Sequence, residues 1–114
     1  MALTIHDLVR TRFGTSAFPI VNPVISQVGV TVGQLARQNP NRIGLLFMNV
    51  SLNNMYVGFW NDVSASKGIR LGASGGFYKS VWFEDFEMPA YEWFAIADGA
   101  ASNIVAVELL TTGD

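Results

Sequence analysis

The sequence predicts an all-β fold: an antiparallel β-sandwich or jelly-roll-like barrel of six to seven short strands, preceded by an extended N-terminal arm. Three observations lead there. From residue 28 onward apolar residues recur with a period of two, and turn-forming Asn, Asp, Ser, Gly and Pro interrupt them at short intervals. Between these stretches no helical run is long enough to build a βαβ unit. A chain of 114 residues has the size of one domain, and it contains no internal repeat that would signal a solenoid.

At the N-terminus, Thr4 precedes Ile5, Leu8, Val9 and Phe13 at helical spacing, with Asp7 near the positive end of the helix dipole. The spacing predicts a helix of about two turns, short enough to be marginal by itself, with Gly14 ending it. Beyond it, Pro19 and Pro23 fall among Phe18, Ile20, Val21, Val24 and Ile25. Proline lacks an amide donor and holds extended backbone, so residues 1–27 are expected to be an arm rather than a central strand, with the sandwich at 28–114.

The strands follow in order. Residues 28–35 alternate, with Val28, Val30 and Val32 on one side. Asn39-Pro40-Asn41 supplies a turn. Residues 42–50 are apolar on both faces, Ile43, Leu45 and Phe47 opposing Leu46, Met48 and Val50. Ser51-Leu52-Asn53-Asn54 makes a hairpin loop into 55–60, again apolar on both faces. A loop over 61–68 leads to the short strand 69–71, and Gly72, Gly75 and Gly76 mark a flexible turn. Residues 77–86 are expected as one strand, 91–97 as the next, and 104–110 as the last, after the turn at Asp98-Gly99.

Composition narrows the function. Half the residues are apolar and 14% are charged, against about 25% in an ordinary soluble domain, so part of the surface is expected to be covered by other subunits. A net charge of −2 from 7 basic and 9 acidic residues without runs offers no electrostatic footprint for nucleic acid or an anionic membrane. There are no cysteines, which excludes disulfides and thiolate metal sites. Neither a secretory signal nor a membrane-spanning helix is predicted, since no apolar run approaches the required length.

No catalytic, cofactor or metal set emerges. His6 stands without a second histidine or any cysteine. Glu84, Asp85, Glu87 and Glu92 lie among aromatics and could suggest sugar chemistry, but strand alternation sends Glu84 and Asp85 to opposite faces, which suits a solvated strand end instead. The glycines at 72–76 lack the Lys and following helix of a phosphate loop. An enzyme is therefore not expected, nor is a small-molecule substrate. Trp60, Trp82 and Trp93 near carboxylates form the alternative, a carbohydrate-stacking surface. More telling is the number of strands that are apolar on both faces, because a two-sheet sandwich needs one inner face per strand.

The order Asn39-Pro40-Asn41-Arg42, then Leu45 through Ser51 with Asn49, then Met55-Tyr56-Val57-Gly58-Phe59 and Gly68-Ile69-Arg70-Leu71 resembles small virion proteins of tailed bacteriophages and prophages. In that pattern an Asn-Pro-x-Arg turn leads into a strand ending in Asn, a hairpin into a Tyr-Val-Gly strand, and a Gly-x-x-Leu step. The closing segments around Trp93 and Val107 fit as well, so the resemblance spans roughly residues 28–110 and leaves out the arm. It implies a virion structural protein made in the host bacterial cytoplasm: a head decoration, cement or spike component, or alternatively a tail-associated or receptor-binding module. The expected partners are further copies of the chain, a trimer being favoured, and the major capsid protein or other virion proteins. Phe13, Phe18, Ile20, Val21 and Ile25 are the expected assembly anchors of the arm.

Overall fold

Strands form where the alternation is clean and are cut short where it breaks. The computed structural model describes residues 4–14, 17–21 and 27–111, and of His6, Val9, Ala17, Phe18, Ile20, Val21 and Phe83 it describes the backbone. In chain order the elements are α1 (Ile5–Phe13), β1 (Ala17–Val21), β2 (Gln27–Val28), β3 (Gly33–Ala36), β4 (Arg42–Asn49), β5 (Met55–Gly58), β6 (Ile69–Leu71), β7 (Phe77–Val81), α2 (Trp82–Asp85), a 3-10 turn (Met88–Ala90), β8 (Trp93–Ala97) and β9 (Ser102–Thr111). The nine described strands make two antiparallel sheets, β1-β9-β4-β7 with β2 also on β9, and β3-β8-β5-β6. The fold is the expected all-β sandwich, with more strands than the six to seven predicted.

The core lies between the sheets. Leu45, Phe47, Ile104 and Ala106 of the first meet Met55, Val57, Leu71, Trp93, Ala95 and Ala97 of the second, every second residue along each strand, as the pleat requires. Trp93 is 0% exposed. Its ring packs edge-on against Phe47, with centroids 5.5 Å apart, and tilted against Tyr78 at 5.6 Å. Burying aromatic area of this size is the largest single contribution such a small core can make.

Besides the loop at 51–54, which carries the chain from β4 in the first sheet to β5 in the second instead of closing a hairpin, three expectations are corrected. The stretch 28–35 is two strands on different sheets. Val28 is buried, whereas Val30 and Val32 are exposed, so the chain leaves β9 after β2 and crosses to pair with β8 as β3. The crossing is tied down midway by the Ala97 amide donating to the Gly29 carbonyl at 2.9 Å. Second, the arm contributes to the sheet: β1 runs antiparallel along β9, Pro19 opposite Leu109 and Ile20 opposite Glu108. Pro19 is tolerated because β1 is an edge strand. Third, 77–86 is not one strand. The Asp85 carboxylate accepts from the Ser80 hydroxyl at 3.1 Å and from the Val81 amide at 3.0 Å, which ends β7 and turns the chain into α2.

The N-terminal helix forms as predicted. Thr4 and Asp7 make a reciprocal capping box, each side chain accepting from the other's amide at 3.1 Å. Gly14 closes the helix in the left-handed conformation at φ 73°, where glycine carries no Cβ penalty.

Candidate assembly interface

The residues that carry the sequence resemblance turn out to be internal fasteners. Asn39 shapes its turn by accepting the Asn41 amide on its side chain at 2.9 Å and the Arg42 amide on its carbonyl at 3.0 Å. A register shift in β4 between Arg42 and Gly44 puts Arg42 in phase with the inner face. There it is 3% exposed and meets Glu108 of β9, 4% exposed, Nε donating to the carboxylate at 2.7 Å. Its other nitrogens donate to the carbonyls of Pro89, Tyr91 and Arg37 at 3.0, 3.0 and 2.6 Å. Two strands of the first sheet and the connections β3–β4 and β7–β8 thus converge on one guanidinium, a geometry that the planar five-donor head suits.

Asn49, also buried, does the same for the opposite end. Its amide donates to the carbonyls of Asn53, Leu71 and Gly72, and its oxygen accepts from Ser51. Gly58 is required because the Trp60 indole lies against it; a Cβ there would come within 2.7 Å of the ring. Every buried side-chain nitrogen and oxygen among the described residues has a partner, so these motif residues are spent on the fold.

The outward faces carry the apolar surplus. On the first sheet Leu46, Met48, Val105 and Val107 are half-buried and Leu109 and Phe77 are exposed. Registers Leu46 with Val107 and Met48 with both Val105 and Phe77 make them one surface. On the second sheet Tyr56, Phe94 and Ile96 are half-buried, Ile96 directly beside Tyr56, with Gln34 donating to Glu92 nearby. Lys79 and Arg70 interrupt these faces. The expectation of strands apolar on both sides therefore holds for β4, β5 and β8.

The expected anchors are dispersed. Phe13 packs edge-on against Trp82 of its own chain, with centroids 5.0 Å apart. Phe18, Ile20 and Val21 lie in β1, opposite Leu110, Glu108 and Val107, and Ile25 falls outside the described residues. The three tryptophans do not share a role. Trp93 is enclosed in the core, so its ring faces are unavailable for a sugar. Trp60 is half-buried with its indole N–H donating to the Lys67 carbonyl at 2.9 Å, and Trp82 opens α2. His6 is in α1, and no group of three His, Asp or Glu among the described residues could hold a metal. Asp85 is committed to the β7 terminus, while Glu84 and Glu87 face solvent.

One end of the molecule escaped the sequence reading. α1 meets the sandwich through Phe13 and through Arg12, whose guanidinium sits 5.2 Å from the Trp82 ring centroid. Leu8, Thr11, Arg12, Phe13 and Trp82 line a cleft of about 490 Å³. Beside it Phe86 is 82% exposed at φ 58° and ψ −113°, a conformation that costs a bulky residue on the order of 1–3 kcal/mol. The amide of Phe86 donates to the Trp82 carbonyl at 2.8 Å, which holds the turn closed. The only sequence signal was the spacing of Trp82 and Phe86, four residues apart, hidden in what looked like a strand. Compared with family models, curated proteins and solved structures, the chain finds no match in any of the three.

Proposed function

We propose that the chain is a non-enzymatic structural component of a tailed-phage virion, a head-associated decoration, cement or spike protein that self-associates and attaches to the capsid through its N-terminal segment. The observation that carries this reading is the apolar outer surface of the sandwich, Leu46, Met48, Val105, Val107, Leu109 and Phe77 on one sheet, in a chain with 14% charged residues. A monomer in water gains nothing by presenting such a surface, whereas a subunit packed among others does. The order of motifs from Asn39 to Leu71, which resembles that of tailed-phage virion proteins, favours a virion as that assembly. A tail-associated glycan binder is less well supported, because Trp93 is enclosed and Trp60 has its N–H occupied.

The test is composition of particles. Tailed particles assembled from the genome that encodes the chain, banded on a density gradient, should contain it in fixed stoichiometry by quantitative mass spectrometry. A chain truncated by residues 1–14 retains all nine described strands and should fold but be lost from the particles. Deleting residues 1–27 would be the wrong experiment, because it removes β1 and half of β2. Particles that lack the full-length chain would overturn the virion assignment, and full incorporation of the truncated chain would overturn attachment through the N-terminus.

A further inference from the structure

The end of the sandwich at α1 and α2 presents a knob and a cleft side by side. The knob is Phe86, held outward by a backbone conformation that its side chain disfavours, and flanked in sequence by the exposed carboxylates Glu84 and Glu87. The cleft is the hollow between α1 and Trp82, bordered by the half-exposed Leu8 and by the cation Arg12. Its volume of about 490 Å³ amply exceeds the roughly 150 Å³ in which a benzene ring can be accommodated. Knob and cleft are therefore complementary in two respects, ring against apolar hollow and acid beside base, and the cleft has room for the ring.

We infer that this end is a self-docking surface, in which Phe86 of one copy inserts into the Leu8–Arg12–Trp82 cleft of a second copy while Glu84 and Glu87 approach the second copy's Arg12. Phe13 and Trp82 border both the cleft and the smaller groove that Phe86 edges, so the two features are adjacent. One two-fold axis then seats both Phe86 rings at once, each copy giving and receiving the same contact. A nine-residue helix is marginal in isolation, and it gains a buried face in this arrangement. The inference rests on the self-association in the proposed function and not on the virion.

The experiment is sedimentation velocity of the full chain over a concentration series, with thermal melts of each variant. Wild type should form a dimer. Phe86→Gly should raise the dimer dissociation constant by about thirtyfold or more, as the loss of a central aromatic anchor does, while the melting temperature of the monomer stays level or rises, because glycine adopts positive φ without strain. That combination separates a lost contact from a lost fold. Arg12→Glu alone, and Glu84→Lys with Glu87→Lys alone, should each be monomeric. Mixed together they should form a heterodimer, since both contacts then pair opposite charges. A Phe86→Gly chain that still dimerises like wild type would overturn the knob and leave the self-association standing. A wild-type monomer at every concentration would overturn both, and a trimer would overturn the two-fold arrangement.

Discussion

Replacing Arg42 with methionine tests whether the sandwich is pinned from within by one ion pair. Arg42 and Glu108 are both buried, their closest approach is 2.5 Å, and the guanidinium also satisfies three carbonyls. Arg42→Met keeps much of the side-chain volume but leaves Glu108 enclosed without its cation and leaves the Pro89, Tyr91 and Arg37 carbonyls without that donor. Removing one member of a buried pair costs about 3–5 kcal/mol, a large share of the about 5–15 kcal/mol that holds a domain folded. With an unfolding entropy near 2.1 cal/mol/K per residue, a loss of about 4 kcal/mol lowers the melting temperature of a chain this long by about 17 °C. Urea unfolding followed by tryptophan fluorescence, together with calorimetry, measures both. The double replacement Arg42→Met with Glu108→Leu should be less damaging than Arg42→Met alone, because no charge is stranded, yet still below wild type, because the carbonyls stay unpaired. A single variant that loses under about 1 kcal/mol, well below the usual cost of breaking a buried pair, or a double variant worse than the single, would refute this account.

Three further outcomes are expected. Asn49→Ala should destabilise by about 1–3 kcal/mol or more, the cost of orphaning buried partners, and hydrogen exchange should show the loops at 50–54 and 72–76 loosened ahead of the rest. Gly58→Val should cost about 1–3 kcal/mol, as overpacking does, and its mark should be a changed Trp60 emission, since the indole must leave its seat. Burial, and secondarily the charge of Asp85, raises the pKa of Tyr78 above its usual value. The folded state therefore keeps the phenolic proton after the unfolded chain has lost it, so the contribution to stability is full below about pH 10 and fades as pH rises through the higher folded value. Urea midpoints across that alkaline range should fall more steeply for wild type than for Tyr78→Phe, and parallel curves would contradict the assignment.

The sequence by itself determined what depends on neighbouring residues and on the period of the pattern. The sandwich class, the start of α1 after Thr4, its stop at Gly14, the turn at Asn39-Pro40-Asn41 and the position of β6 all follow from local sterics and hydrogen bonding, and they stand at the expected places. The apolar character of both faces of β4, β5 and β8 was legible for the same reason. Only the tertiary structure decided where strands begin and end. Val28, Val30 and Val32 alternate as one strand would, yet the geometry between two sheets places the first on β9 and sends the chain across to β8. Pro19 suggested an arm, but an edge of β9 was free to accept β1. Trp82 to Phe86 looked like strand because nothing nearby revealed that Asp85 would cap β7. The pairing of Arg42 with Glu108, 66 positions later, and the meeting of α1 with Trp82 and Phe86 join distant parts of the chain. Such contacts leave no periodic trace in the sequence, because they exist only once the sheets have brought their ends together.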